Sequence, residues 1–123
     1  MTPNVENPAI DVVIADDYEP VRSLLSRLLS RQRDLHIVGV ASTGEEAIKL
    51  ARERRPDVVI MDVDMPGMGG IEATRRLVQV LPGVRVIGHS ANEVSSVMRE
   101  AGAVGFVRKG EALDDLLRAI RAN

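Results

Sequence analysis

The sequence predicts an α/β fold, in which helices cover both faces of a doubly wound, five-stranded parallel sheet. Three observations support this. Short apolar runs alternate five times with helical patterns. Several runs have apolar residues in succession, as in strands covered on both faces. The clearest helical patterns carry a single apolar stripe, which is typical of a helix that packs on a sheet. The chain has 123 residues, 45% of them apolar, which suits one domain and not two.

The five predicted strands are short and rich in β-branched residues. Because helices separate them, each connection is expected to be a right-handed crossover between parallel strands. The predicted strands are Ile10–Ala15, Ile37–Ala41, Val58–Met61, Val86–Gly88 and Gly105–Val107.

The first predicted helix is opened by Pro20 and has an apolar stripe at Val21, Leu24, Leu25, Leu28 and Leu29. The last predicted helix has a stripe of the same spacing at Leu113, Leu116, Leu117 and Ile120. These two stripes are the strongest helical signals in the chain.

Start and stop signals define the three helices between them. Thr43 and Glu46 have the spacing of a capping box, and Pro56 stops the second helix at about Arg55. The third helix runs from about Gly70 to Val80. The fourth, from about Asn92 to Ala101, is polar and weakly patterned, and we expect it to be short.

Composition excludes several classes of function. Sixteen basic and eighteen acidic residues give a net charge of −2, which argues against a nucleic-acid-binding face. Without cysteine, neither a disulfide framework nor a thiolate metal site can form. No signal peptide or membrane span is recognised. We expect a cytoplasmic protein with a flexible tail over residues 1–7 and one domain over residues 8–123.

Charged and hydroxyl side chains follow four of the predicted strands. Asp16 and Asp17 follow the first strand, Asp62 the third, Ser90 the fourth and Lys109 the fifth. In a parallel sheet these positions share the carboxyl edge, where open α/β sheets bind their ligands. Any one of these aspartates alone would more often be a turn or helix-capping residue, but their joint occurrence favours a site.

The three carboxylates predict a cation. Two carboxylates about 4 Å apart repel by roughly 4 kcal/mol at an effective dielectric near 20. A cation relieves this repulsion; otherwise one pKa rises sharply. With oxygen ligands only, Mg²⁺ is the first candidate, with Mn²⁺ and Ca²⁺ as alternatives. Lys109 can pair with a carboxylate or a phosphoryl oxygen, and Ser90 can donate a hydrogen bond to one.

Four segments together resemble the CheY-like receiver domain of two-component response regulators: VVIADD, VVIMDVDMPGMGG, the pair Ser90-Ala91, and GFVRK. The likeness covers Ile10 to Asn123, and GIEATRRL and Gly110 point to the NarL/FixJ type. It implies strand order 2-1-3-4-5. It also implies that Asp62 takes a phosphoryl group from a histidine kinase with Mg²⁺.

The resemblance assigns further roles. Asp16, Asp17 and Asp62 would hold the metal together with the backbone carbonyl of Asp64. Lys109 would contact the phosphoryl group. Ser90 and Phe106 would form a switch that alters an output surface around the fourth helix, fifth strand and fifth helix. The implied partners are a sensor histidine kinase or phosphotransfer protein, a second copy upon phosphorylation, and a DNA-binding domain in a longer natural chain. An enzyme is not implied, beyond slow self-dephosphorylation.

The chain departs from the family pattern in a few places. Phe106 replaces the frequent tyrosine, Gly110 a frequent proline, and Gly69 an acidic residue. The segment between Ser90 and Phe106 is short, which predicts a short or reoriented fourth helix.

Two other functions stay open. The Asp62-x-Asp64 spacing also occurs in haloacid-dehalogenase-type phosphohydrolases, although that family places it on the first strand, usually beneath a cap. A receiver used only for docking, without phosphorylation, is the other alternative. His89 is interpreted as a loop or strand-end residue rather than as a functional imidazole near the phosphoryl site.

Overall fold

The computed structural model of the chain describes residues 9–122, so the predicted tail over residues 1–7 lies outside the described residues. Strands and helices alternate along the chain: β1 (Ile10–Ala15), α1 (Glu19–Ser30), β2 (Leu35–Ala41), α2 (Gly44–Arg54), β3 (Val58–Asp62), α3 (Gly69–Val80), β4 (Arg85–Ser90), α4 (Ser95–Ala101), β5 (Gly105–Arg108) and α5 (Leu113–Arg121). The strands form one parallel sheet in the order β2-β1-β3-β4-β5. The predicted fold class and strand order are confirmed.

Helices cover both faces of the sheet. On one face, alternate strand residues such as Ile14 and Ile60 pack against Leu29 of α1 and Ile120 of α5. On the other face, Met61 and its neighbours pack against α2, α3 and α4. Because both faces are buried, the inner strands show continuous apolar runs instead of alternation. This is why these runs identified the strands.

Several strands extend beyond their predicted ends. β3 includes Asp62 and β4 includes His89 and Ser90, whereas the predicted strands ended at Met61 and Gly88. These polar residues continue the ladder, with Asp62 opposite His89 and Ser90 opposite Arg108. Their side chains are therefore held by strand backbone.

The fourth helix is short, as expected, and begins later than predicted. It starts at Ser95 instead of Asn92 and has seven residues. The backbone N–H of Asn92 donates to Ser90 Oγ (3.1 Å), and that of Ser95 to the Glu93 carboxylate (2.8 Å). These side-chain bonds satisfy backbone donors in a turn and so delay the start of the helix.

Capping residues fix the ends of α2 as the sequence predicted. Thr43 Oγ1 accepts a hydrogen bond from the backbone N–H of Glu46 (3.1 Å), while the Glu46 carboxylate accepts one from the N–H of Ser42 (2.7 Å). At the other end, Arg55 is left-handed, with φ of 51°, because Pro56 disfavours the helical conformation in the residue before it.

Replacing Thr43 by alanine is expected to lower the free energy of unfolding by about 1 kcal/mol, because one N–H at the start of α2 loses its acceptor. Thr43→Ser keeps the hydroxyl and is expected to stay within a few tenths of a kcal/mol of the parent. Urea unfolding measures both variants. Equal losses in the two variants would contradict a capping role for the hydroxyl.

Among residues 9–122, no helix combines the length and the apolar character that crossing a membrane requires.

Candidate functional site

Three carboxylates meet at the carboxyl edge of the sheet. Asp16 and Asp17 follow β1, and Asp62 ends the neighbouring strand β3. Each offers an oxygen within 4.8 Å of the others. Asp16 and Asp62 are buried, with 1% and 3% of their surface exposed, whereas Asp17 is exposed. The cluster is therefore buried at Asp16 and Asp62 and open to solvent at Asp17.

The backbone around Asp16 is held at several points. Its N–H donates to the carbonyl of Ala41 (3.0 Å), and its carbonyl accepts a bond from Arg22 Nη1 (2.8 Å). Its Oδ1 accepts the N–H of Tyr18 (2.9 Å). Asp16 therefore caps the turn into α1 and belongs to the acidic cluster at the same time. No sequence pattern indicates the supporting role of Arg22, which depends on how α1 folds back.

Lys109, just after β5, provides positive charge to the cluster. Its Nζ lies 2.9 Å from Asp16 Oδ2 and 3.3 Å from Asp62 Oδ1. Although burial favours the neutral amine, the two carboxylates raise the pKa of Lys109. One ammonium facing three carboxylates leaves the site with net negative charge.

The negative charge of this site affects the pKa of Asp62. Burial, and then the nearby charge of Asp16, raise the pKa of Asp62 to about 6, against a smaller opposing effect of Lys109. The ionised form of Asp62 is therefore poorly stabilised by protein groups alone.

The site fits a hard divalent cation. The buried Asp16 Oδ2 has the Lys109 ammonium as its neighbour at 2.9 Å, and this one ammonium serves a cluster of three carboxylates, two of them buried. Carboxylates gathered in this way repel one another unless a further cation neutralises them. The three residues together offer carboxylate oxygens, the ligands that hard cations prefer. The acidic cluster is thus compatible with metal binding.

The first turn of α3 lies directly against Asp62. A Cβ built on Gly70 would lie 2.0 Å from the carbonyl oxygen of Asp62, and the N–H of Gly70 donates to the carbonyl of Val63 (2.9 Å). Only glycine permits this approach. The segment between these residues carries Asp64, whose side chain is exposed.

The two predicted switch residues lie on neighbouring strands. Ser90, 1% exposed, ends β4, and its Oγ accepts a hydrogen bond from the N–H of Asn92. Its carbonyl accepts the N–H of Lys109 (2.8 Å), which ties the fourth strand to the site. Phe106 on β5 is half-buried and lies beside Gly88 of β4.

His89 is a strand residue directly opposite Asp62, with only 7% of its surface exposed. Burial, reinforced by the charge of Lys109, lowers the pKa of His89 to about 4, so its imidazole is neutral at physiological pH. His89 lies one residue before the end of β4, in agreement with its interpretation as a strand-end residue. Its burial was missed, although it shares a strand face with the core residue Ile87 two positions earlier.

Comparison with known proteins extends these observations. Residues 12–121 match the response regulator receiver domain family. The chain is 43% identical over 115 residues to the response regulator GacA of Pseudomonas aeruginosa, a match that covers 91% of this chain and 54% of GacA. It is 40% identical over 116 residues to UvrY of Escherichia coli, covering 92% and 53% respectively. The chain thus spans about half the length of these curated relatives.

Solved structures of response regulators have the same fold as this chain. A two-component response regulator of the LuxR family from Aurantimonas sp. SI85-9A1 superposes with a TM-score of 0.86 at 35% identity, over 91% of this chain and 82% of that one. The response regulator domain of Thermotoga maritima CheB gives 0.83 at 33% identity, over 92% and 94%. The acidic cluster, the strand order and these matches agree: the chain belongs to the response regulator receiver domain family.

Proposed function

We propose that this chain is a phosphorylation-controlled signalling domain in which Asp62 accepts a phosphoryl group from a histidine kinase or a phosphotransfer protein. The observation that carries the proposal is the position of Asp62. It is a buried carboxylate at a strand end, beside one ammonium and two further carboxylates.

The chemistry follows from these neighbours. An oxygen of Asp62 attacks the phosphorus in line, so that an O–P bond forms while the P–N bond to the donor imidazole breaks. The product is an acyl phosphate on Asp62. Such transfers depend on positioning and on neutralising charge at the transferred oxygens. Lys109 Nζ, 3.3 Å from Asp62 Oδ1, is placed to contact one of these oxygens.

Asp16, Asp17 and Asp62 would hold Mg²⁺, with Mn²⁺ as an alternative, and the Asp64 carbonyl would complete the protein ligands. When bound, the ion neutralises charge on the carboxylates and on the phosphoryl oxygens. Asp16 would act through a water, since its Oδ2 also faces Lys109.

Phosphorylation would act through Ser90 and Phe106. It adds roughly −1.5 to −2 charges and new acceptor oxygens at Asp62. Ser90 would exchange its bond from the N–H of Asn92 for a bond to the phosphoryl group, leaving space into which Phe106 moves. The affected output surface would comprise α4, β5 and α5. Val97 of α4 and Val104, which directly precedes β5, are exposed.

The relatives suggest the partners. A LuxR-family structure from Staphylococcus aureus is described as a DNA-binding response regulator. In a longer natural chain, the output of this domain would thus be a DNA-binding domain, controlled by homodimerisation. Direct nucleic-acid binding by residues 9–122 is not proposed, nor is a membrane association. A cytoplasmic location and the absence of catalysis, beyond slow self-dephosphorylation, belong to the same proposal.

The alternative of an Asp62-x-Asp64 phosphohydrolase lacks support from the site. In that chemistry the second aspartate must reach the reacting group as an acid and base. Here the Asp64 side chain is exposed and lies outside the cluster of three carboxylates.

Incubation with acetyl phosphate and Mg²⁺ tests the proposal. We expect labelling that approaches one phosphoryl group per chain, is lost on chelation of Mg²⁺, and is absent from Asp62→Asn. Asp64→Asn keeps the backbone carbonyl and is expected to be labelled like the parent. Continuous release of phosphate from phosphomonoesters would instead support the hydrolase, and the absence of any label would support a docking module.

A further inference from the structure

The residue that faces Phe106 across the sheet is a glycine. Gly88 of β4 pairs directly with Phe106 of β5, so their side-chain positions lie on the same face of neighbouring strands. A Cβ built on Gly88 would lie 2.7 Å from Cδ1 of the Phe106 ring, well inside contact distance. The aromatic ring therefore lies where a side chain at residue 88 would otherwise stand.

The same position is closed from the helix side. Met98 of α4 is fully buried, and its Cε would lie 3.1 Å from the built Cβ. The ring and the methionine thus fill the volume above Gly88, and a methyl group there would overlap the ring and press on the methionine. Glycine within a strand weakens the sheet and often marks the close approach of another group, here the ring of Phe106.

The ring occupies this volume while the Ser90 hydroxyl remains hydrogen-bonded within its own turn. Ser90 Oγ accepts the N–H of Asn92. The space above Gly88 is therefore available to Phe106 without any movement of Ser90.

From these contacts we infer that Gly88 is a positioning residue that seats the ring of Phe106 against β4 before phosphorylation. Its consequence for signalling rests on the proposed function: the switch starts with the ring seated at residue 88 and moves it along β4 toward the space left by Ser90. The seat itself is a property of the unphosphorylated chain and can be tested alone.

The chain offers a reporter without further mutation, because it contains one phenylalanine. Incorporation of 4-fluorophenylalanine therefore gives a single ¹⁹F resonance, from residue 106. In Gly88→Ala the new methyl group displaces the ring from residue 88. Because Phe106 is only half-buried and Met98 of α4 is fully buried, we expect the ring to move toward solvent. We expect a displaced resonance with a larger H₂O-to-D₂O shift.

Gly105→Ala is the matched control. It lies on β5 next to Phe106, and a Cβ there meets only ordinary contacts, the nearest at 3.7 Å. We expect its fluorine resonance to show the solvent shift of the parent. A Gly88→Ala chain with the resonance and solvent shift of the parent would overturn the inference, and so would equal displacements in the two variants.

A thermodynamic cycle provides a second test if Gly88→Ala weakens the fold. Alanine at residue 106 removes the ring, including the Cδ1 atom that overlaps the new methyl group. We expect Gly88→Ala to change the unfolding equilibrium constant about five-fold less in the Phe106→Ala background than in the parent. Equal changes in both backgrounds would contradict the inference that Gly88 positions the ring of Phe106.

Beryllofluoride with Mg²⁺, a phosphoryl analogue, separates the two proposals. Suppose that beryllofluoride leaves the parent resonance unmoved while Gly88→Ala displaces it. Then Gly88 positions the Phe106 ring, and the proposed movement of that ring on phosphorylation is wrong. Suppose instead that beryllofluoride moves the parent resonance while Gly88→Ala has no effect. Then the movement of Phe106 on phosphorylation is supported, and the positioning role of Gly88 is wrong.

Discussion

Replacing Asp62 by asparagine is expected to abolish phosphorylation and, at neutral pH without metal, to raise the free energy of unfolding by about 1–2 kcal/mol. The loss of phosphorylation follows because an amide cannot form the acyl phosphate. The gain in stability follows because burial, and then repulsion by Asp16, destabilise the charge of Asp62. Lys109 keeps its closer partner, Asp16, in the variant.

The pH dependence gives an independent check with a definite sign. The pKa of Asp62 is raised from 3.8 to about 6 in the folded protein, so the folded state binds a proton more tightly than the unfolded state. Its contribution to stability is therefore lost as the pH rises through that window. Metal-free parent protein should lose stability between about pH 4 and pH 6, and Asp62→Asn should lose less over the same range.

Urea unfolding in the presence of a chelator, at several pH values, measures both effects. Asp64→Asn is the control, because it removes an exposed carboxylate from the same loop and should leave the stability nearly unchanged. Added Mg²⁺ should stabilise the parent more than Asp62→Asn, since the folded parent offers one more carboxylate. An asparagine variant that is less stable than the metal-free parent at neutral pH would show that the ion pair of Asp62 with Lys109 outweighs burial and repulsion.

The fold was predictable because both faces of the sheet are covered. Val58 to Met61 and Val12 to Ala15 are apolar in succession, which marked the inner strands. The strand ends were not predictable in the same way. Asp62 and Ser90 continue the backbone ladder although their side chains are polar, and hydropathy does not report backbone pairing.

Most of the site followed from topology, since parallel strands bring their carboxyl ends to one edge. Topology alone therefore predicts that Asp16, Asp17, Asp62 and Lys109 lie together, as they do. Which carboxylate is buried did not follow: Asp16 and Asp17 are adjacent in sequence, yet only Asp16 points into the fold. Close approaches such as that of Gly88 to Phe106 depend on distances between elements, which no local pattern encodes.

Gly70 is the position where such a distance matters most, and Gly70→Ala is expected to lower the free energy of unfolding by about 3 kcal/mol or more. Its Cβ would lie 2.0 Å from the carbonyl oxygen of Asp62, and ordinary contacts of a Cβ are longer than 3 Å. Because the obstacle is backbone, no rotation of a side chain relieves the overlap. Either α3 moves away from the sheet or the end of β3 shifts.

Either movement, of α3 or of the end of β3, would alter the geometry of the functional site. α3 and the end of β3 share the hydrogen bond from the N–H of Gly70 to the carbonyl of Val63, the residue after Asp62. A shift here changes the position of the Asp62 carboxylate relative to Lys109, so the rate of labelling by acetyl phosphate should fall even in the folded fraction. Urea unfolding and labelling at saturating Mg²⁺ measure the two effects. Gly83→Ala, where a built Cβ meets nothing within 4 Å, should leave both unchanged. If Gly70→Ala behaved like Gly83→Ala, the close packing of α3 on Asp62 would have no part in holding the phosphoacceptor in place.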